Sequence, residues 1–452
     1  MPVSPARAAA FDILLRVERE SSYASELLHS AAYERLSTPD HALATELVMG
    51  VLRWRSRLDD EIATASSQPL SKLDLEILIT LRFAVYQFRW LDRVPQRAAL
   101  HESVELVKRA RKRSAAPFVN AVLRKLSTRP APSQHDEPST PEALARTFAH
   151  PQWLVDRWSQ VFGLTTAHQI CQHNQSIPTT AIRLRTTAAE AQLKHEGISL
   201  IPGSLLALAR RVHIGDITKT QAFRKGGLII QDEASQLAAA LVGSASRVGT
   251  RILDCCAAPG GKTLAIADHN PNAAITALEL YPHRARVLQK MLPADERQSA
   301  RIQVVVADAQ QFPIALLFNR VLADVPCSGT GTLARNPEIK WRLTPADLAE
   351  LNRRQSAILR SALTQVAPGG RLIYSTCSLE KEENEDVVEQ ALAENKSFRL
   401  LDARTELDHL KAAGELVWQD TATLTRGPYL RTLPGIHPCD GFFAAILERA
   451  SS

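Results

Sequence analysis

The chain has 452 residues, 45% hydrophobic and 23% charged, with a net charge of +6; this excludes a disordered or fibrous polymer and leaves room for about three domains. No apolar run approaches the roughly 18 residues that cross a bilayer, and Asp12 and Arg16 interrupt the first apolar stretch, so neither a membrane partner nor a secretory leader is expected and the expected location is cytoplasmic. Six cysteines, at 171, 255, 256, 327, 377 and 439, are too few and too scattered for a disulfide framework, and with no Cys-x-x-Cys pair and no histidine cluster no metal site is expected.

Residues 3–129 have apolar positions at helical spacing almost throughout, in "AAFDILLRVERE", "ALATELVMGVLRWRSRLDDEIA", "LDLEILITLRFAVYQFRWL" and "ALHESVELVKRAR", which predicts an all-α first domain over 1–130. Within it, 20 Lys and Arg meet 15 Asp and Glu, so nearly all the excess charge is here. It concentrates in 108–129, where eight basic residues occur with no acid. Such a run is either a solvated helix face or the electrostatic footprint of a phosphate backbone.

"STRPAPSQHDEPSTPE" mixes Pro, Ser, Thr and charge with almost nothing apolar, so 131–142 is expected to be a linker. A helical stretch, "PQWLVDRWSQVF", and short strand-like runs in "TTAIRLRTT" and "GISLIPG" predict a small α+β domain over 143–229. From 230 to 452 strands and helices alternate. "RILD" (251–254), "AAITALEL" (273–280), "IQVVVAD" (302–308), "RVLAD" (320–324) and "RLIYSTC" (371–377) are apolar runs ending in acids or turn residues, the mark of a parallel, Rossmann-like α/β sheet that binds its ligands beyond the strands' C-terminal ends.

The first of those ends reads "RILDCCAAPGGKT". A phosphate loop needs a glycine five positions before Gly261-Lys262-Thr263, and that position is Cys256; the dinucleotide fingerprint fails as well, with only Gly260 and Gly261 present. What remains is a turn of small residues, Ala257, Ala258, Pro259, Gly260 and Gly261, which lets backbone approach a ligand closely. Glu279, 25 residues past Asp254, is placed to accept ribose hydroxyls, and Asp308 to meet an adenine amino group. A nucleoside without phosphates satisfies all three strand ends, and adenosylmethionine is the common cofactor of that shape.

Two cysteines follow at strand ends, in "ADVPCSGTGT" and "YSTCS". The C5 carbon of cytosine is a poor nucleophile, and adding a thiolate to C6 makes it enamine-like. That addition needs the N3 side of the ring hydrogen-bonded, for which Asp324 is placed. A thiol with its ordinary pKa of about 8.5 also needs help to ionise, and Lys262 is the candidate.

These segments, "LDCCAAPGGKT", "DVPCSGTGTLARNPEIKW" and "YSTCSLEKEENEDVV", closed by "CDGFFAAIL", resemble the RNA cytosine-5 methyltransferases. Along the whole chain, with a NusB-like helical domain and a small RNA-binding region ahead of the catalytic domain, the resemblance is to the RsmB (Sun/Fmu) branch, which methylates a cytosine of small-subunit ribosomal RNA. It implies S-adenosyl-L-methionine held by Cys256 to Lys262, Glu279, Asp308 and Asp324. It implies Cys377 as nucleophile and Cys327 as the residue that assists release, with Asp324 and Lys262 in support. Its partner would be 16S-type rRNA, and a monomer is expected. Asn336, Pro337, Lys340 and Trp341 would line the RNA side of the site, and 108–129 would contact RNA backbone. Glu279 stands where a shorter Asp is expected, and Cys255 where an apolar residue is usual; Cys255 is given no role. The alternatives are the same chemistry on tRNA or another rRNA site, and a non-catalytic NusB-like RNA-binding factor.

Overall fold

The helical spacing of the first 130 residues is realised as helices Pro5–Glu20, Thr38–Ala65, Leu75–Trp90, Gln96–Arg109 and Ala116–Ser127 in a computed structural model, which describes every residue except 1–2, 21, 31, 34, 131–137, 245–248, 293–300, 313–315 and 452. Most of the expected linker therefore lies outside the described residues. Local chemistry sets the helix starts: Ser37 accepts from the backbone N–H of Asp40 at 3.2 Å, with proline in the first turn, as an N-cap should. The apolar stripes converge on one core that includes Phe11, Leu47, Leu58, Phe83, Val107 and Leu123.

Chain contacts divide the molecule into two units, residues 1–177 with 333–342, and residues 178–332 with 343–452. The stretch 143–229 is thus shared between them. Its helices Gln152–Phe162 and Leu164–Asn174 belong to the first unit; its strands β1 (Ala181–Leu184), β2 (Ser199–Pro202), β3 (Ala209–Ile214) and β4 (Leu228–Ile230) form an antiparallel sheet of order β2-β3-β1-β4 in the second.

The segment 333–342, which carries "NPEIKW", is built into the helical unit. Lys340 is buried, and its Nζ donates to the carbonyl of Arg53 at 2.9 Å. The Trp341 indole donates to the carbonyl of Leu52 at 2.6 Å, and Glu338 accepts from the backbone N–H of Ala24 at 2.8 Å. Asn336 meets the hydroxyl of Ser25 at 3.3 Å. Lys340 and Trp341, both expected at a substrate wall, spend their donors on helix-backbone carbonyls, where a buried N–H must find an acceptor.

The second unit holds a nine-stranded sheet. Its strands are β5 (Arg251–Asp254), β6 (Ala274–Glu279), β7 (Ile302–Val306), β8 (Phe318–Asp324), β9 (Val366–Thr376), β10 (Phe398–Leu401), β11 (Thr425–Arg426), β12 (Tyr429–Thr432) and β13 (Phe442–Arg449). The order is β11-β12-β13-β9-β8-β5-β6-β7, with β10 also on β13. Strands β7, β6, β5, β8 and β9 are parallel, and each begins or ends within a few residues of its predicted run. Continuous burial over Ile252–Asp254, Val321–Ala323 and Leu372–Thr376 of β5, β8 and β9 is what a parallel sheet covered on both faces requires. Strand β13 runs antiparallel to β9, pairing Phe443 with Thr376 and Ala444 with Ser375.

The buried lysine makes the helical unit pH-sensitive. Burial, with the Arg53 charge adding to it, holds the Lys340 ammonium well below its ordinary pKa. A cation depressed in the folded state gives stability that is lost as pH falls, so stability should climb with pH toward the unfolded-state value near 10.4. The Lys340→Met chain should be more stable than the parent at pH 7 by denaturant unfolding, and the difference in unfolding free energy should narrow by up to about 1.4 kcal/mol per pH unit toward pH 9. A gap independent of pH would mean that Lys340 folds with its charge intact.

Candidate active site

Because β7, β6, β5, β8 and β9 are parallel neighbours, their C-terminal ends form a single row. Asp308 follows β7, Glu279 ends β6, Asp254 ends β5, Asp324 ends β8 and Cys377 follows β9. Four interstrand steps make the row about 19 Å long. Acids that accept hydrogen bonds occupy one end and sulfurs the other.

The small-residue turn sits at the middle of the row. Cys255 continues the ladder by donating its N–H to the carbonyl of Leu322 at 2.8 Å, and Ala257 donates to Leu278 at 2.7 Å. Gly260 has φ +119° and a Cβ there would lie 2.4 Å from Leu288 Cδ1, so glycine is required before the helix Gly261–His269 can start. Thr263, in the first turn, donates to Asp254 Oδ2 at 2.7 Å, while Asp254 Oδ1 is buried and takes no hydrogen bond. Burial pushes the Asp254 carboxyl up to about 6. Glu279 is buried and accepts from the N–H of Tyr281 at 3.0 Å; Asp308, half-buried, accepts from Gln310 at 2.9 Å. Arg284 donates to the carbonyl of Ala258 at 3.2 Å. Cys255 packs into the apolar core of the sheet. Burial and the charges of Asp254, Asp324 and Glu279 hold the Cys256 thiol far up, so it stays a neutral lining residue.

At the sulfur end, β8 and β9 pair Asp324 with Ser375. The hydroxyl of Ser375 donates to Asp324 Oδ1 at 2.9 Å, and Lys262 Nζ lies 2.7 Å from Asp324 Oδ2. Burial works against the Lys262 ammonium, yet attraction to Asp324, joined by Cys377 and Asp254, carries its pKa above the ordinary lysine value. Its Nζ also lies 5.2 Å from the ring centroid of Phe442. Cys327 and Cys377, 50 residues apart, bring their sulfurs to 3.3 Å. That contact comes first, then burial and the Glu383 charge, in pushing the Cys327 thiol far above its ordinary value.

Sequence reasoning overlooked the support beneath this pair. Glu383 is buried and takes hydrogen bonds from the N–H and hydroxyl of Ser328, the hydroxyl of Ser378 and the amide of Gln355. Glu383 stands among Glu380, Glu382, Glu385 and Asp386, and nothing in that acidic run marks which carboxylate turns inward. The basic run is also less free than its sequence suggests. Lys108 pairs with Glu105, Arg109 with Asp12 and Lys112 with Asp74; Arg111, Arg113 and Arg124 make no ion pair among the described residues. Among those residues there is no group of His, Cys, Asp and Glu that could hold a metal ion, and no helix long and apolar enough to cross a membrane.

A parallel sheet with a small-residue turn after its central strand and acids at the next two strand ends defines the class, a Rossmann-like methyltransferase joined to a helical domain. Residues 245–448 match the family model for the 16S rRNA methyltransferase RsmB/F, and residues 4–128 match the NusB family. The chain is 32% identical to the probable ribosomal RNA small subunit methyltransferase B of Bacillus subtilis, over 99% of this chain and 100% of that one. It is likewise 32% identical to the ribosomal RNA small subunit methyltransferase B of Vibrio cholerae, covering 98% and 97%. Among solved structures, that of PH0851 superposes with a TM-score of 0.80 at 23% identity, covering 99% and 100% of the two chains. The structure of NSun6 from Pyrococcus horikoshii with SFG has a TM-score of 0.55 at 19% identity, covering 67% and 98%. The chain belongs to the ribosomal RNA small subunit methyltransferase B family and is an rRNA methyltransferase.

The loops that carry the sulfurs allow no extra atom at Gly331. Its N–H donates to the carbonyl of Cys377 at 2.9 Å, and a Cβ there would sit 2.2 Å from the Gly441 carbonyl oxygen. Gly331→Ala should cost about 1–3 kcal/mol and lower the thermal midpoint by roughly 2–8 °C. An unchanged midpoint would mean that these backbones are not in contact.

Proposed function

We propose that the protein makes 5-methylcytosine in small-subunit ribosomal RNA, with the Cys377 sulfur bonded transiently to C6 of the base. The observation that carries the reading is the pair of sulfurs 3.3 Å apart beside the Lys262–Asp324 ion pair. One thiolate suffices to activate C5, and a second thiol at van der Waals distance is of use to a reaction that must also release its covalent product. S-adenosyl-L-methionine supplies, when bound, a methyl group on a sulfonium. The residues suited to hold it are Cys256 to Gly261, Glu279 and Asp308, and Asp254 Oδ1, a buried acceptor without a partner, fits a ligand that brings an N–H donor or positive charge.

In this reading Cys377 attacks C6 while the Lys262 ammonium lies close to the sulfur, and Asp324, oriented by Lys262 and Ser375, meets the N3 side of the ring. After methyl transfer the C5 proton leaves to a base, the C6–S bond breaks, and Cys327 assists that departure. The target base must come out of its stack to reach the sulfurs, and RNA shape selects it. Arg111, Arg113 and Arg124, which make no ion pair among the described residues, are available to RNA phosphates. The protein acts as a monomer in the cytoplasm.

Cys377→Ala should abolish transfer while leaving cofactor affinity within about twofold, and Cys327→Ala should accumulate a covalent RNA adduct on denaturing gels. Adduct in the Cys377 variant instead would exchange the two roles. A pH series checks the cofactor site: with the Asp254 carboxyl at about 6 in the free protein, affinity for adenosylmethionine should weaken up to about tenfold for each pH unit below that value. Asp254→Asn should bind weakly and lose this dependence; an unchanged profile would take Asp254 out of the site.

A further inference from the structure

The two sulfurs come from different loops, and what holds those loops in register lies underneath them. The Glu383 carboxylate spans both. Its Oε1 accepts from the Ser328 backbone N–H at 2.8 Å and from Gln355 Nε2 at 2.9 Å; its Oε2 accepts from the hydroxyls of Ser328 and Ser378. Four donors match the roughly four acceptor sites of a carboxylate. Ser328 follows Cys327 and Ser378 follows Cys377. Gln355 also donates to the carbonyl of Pro326 at 3.0 Å, so the Cys327 loop is gripped on both sides of the sulfur. On the other loop Asn384, the next residue after Glu383, takes the hydroxyl of Thr376 and donates to the carbonyl of Ser378 at 2.9 Å. The two serine hydroxyls are themselves 3.1 Å apart.

We propose that Glu383 is a positioning residue that clamps the Cys327 and Cys377 loops into one rigid unit and keeps the two sulfurs chemically unequal by placing a buried negative charge on the Cys327 side. Cysteines 50 residues apart could drift independently, and a displacement of about 1 Å is enough to cost about 10²-fold in rate. A shared acceptor converts two loop positions into one. The charge acts on the sulfurs as well as on the serines. Cys327 faces the Cys377 sulfur, the Glu383 carboxylate and the Tyr374 phenol, whereas Cys377 faces the Lys262 ammonium, itself paired to Asp324. The Cys377 contact and burial push the Cys327 thiol upward and the Glu383 charge adds to them, leaving it a proton carrier beside the attacking sulfur. The catalytic part of this inference rests on the cytosine reading above; the inequality of the thiols is a property of the free protein and is measured without RNA.

Glu383→Gln keeps the shape and removes the charge. Its carbonyl can face the two N–H donors, and its amide can face the serine hydroxyls, which turn to accept. For this full-length variant, kcat for methyl transfer to small-subunit rRNA should fall about 10²-fold, with KM for RNA and affinity for adenosylmethionine within about twofold. Alkylation by iodoacetamide over pH 6–10, resolved by peptide mass spectrometry, should fall mainly on Cys377 in the parent and shift toward Cys327 in the variant, with the Cys327 midpoint moved to lower pH. Ser328→Ala combined with Ser378→Ala removes both hydroxyl grips and leaves the charge, so kcat should fall while the alkylation midpoint of Cys327 stays within about half a unit. The inference is overturned if kcat per cofactor-binding chain is unchanged in either variant, or if Glu383→Gln leaves the alkylation ratio and midpoint as in the parent. A parent enzyme that modifies no cytosine, with the alkylation shift still present, would overturn the cytosine reading and keep the inequality of the thiols.

Discussion

The parallel ladder between β8 and β9 is the constraint on which the site depends. It sets Asp324 opposite Ser375, and from that register Cys327 lies three positions on and Cys377 two. Neither loop is long enough to wander, and the meeting of the sulfurs follows from a backbone register fixed by interstrand hydrogen bonds well inside the sheet. The antiparallel addition of β13 then seals the far side of β9: it brings Gly441 against Gly331 and the Phe442 ring against Lys262. A one-residue slip of β9 would turn every buried side chain to the opposite face, and the mostly buried run from Leu372 to Thr376 makes such a slip prohibitive.

Charge is distributed along the row with the same economy. The acids at the ends of β5, β6 and β7 are acceptors, suited to a ligand that brings hydroxyl and amino donors. The ends of β8 and β9 hold one ammonium between a carboxylate and a sulfur. Below them lies a carboxylate whose partners are all neutral donors. Burial in such surroundings strengthens each electrostatic term, so one sheet edge offers an acceptor-rich end and a nucleophilic end with no metal ligand set among the described residues.

The parallel strands were legible because each is an apolar run closed by an acid or a turn residue, and the glycine turn because Pro259, Gly260 and Gly261 leave few conformations open. The two site cysteines were legible because each follows closely on a strand end. The antiparallel strands β10 to β12 are four residues or fewer, too short to show a period, and their place comes from pairing with β13 or with each other. Lys340 and Trp341 sit in a short helical turn, Ile339–Arg342, in a segment that reads as ligand-facing, yet the helical unit supplies backbone carbonyls that absorb their donors. Glu383 is the sharpest case. Five acids in seven residues look like a hydrated surface, yet Glu380 and Glu383 are both buried, and only the return of the chain beneath the Cys327 loop brings Glu383 to the serines beside the two sulfurs.

The most direct measurement is covalent trapping on small-subunit rRNA that carries 5-fluorocytosine. Fluorine at C5 replaces the proton whose removal permits release, so the enzyme should stop as a stoichiometric adduct after methyl transfer. Peptide mass spectrometry of that adduct should place the RNA base on Cys377. A base attached to Cys327, or methylated product formed with no adduct on either sulfur, would contradict attack by Cys377.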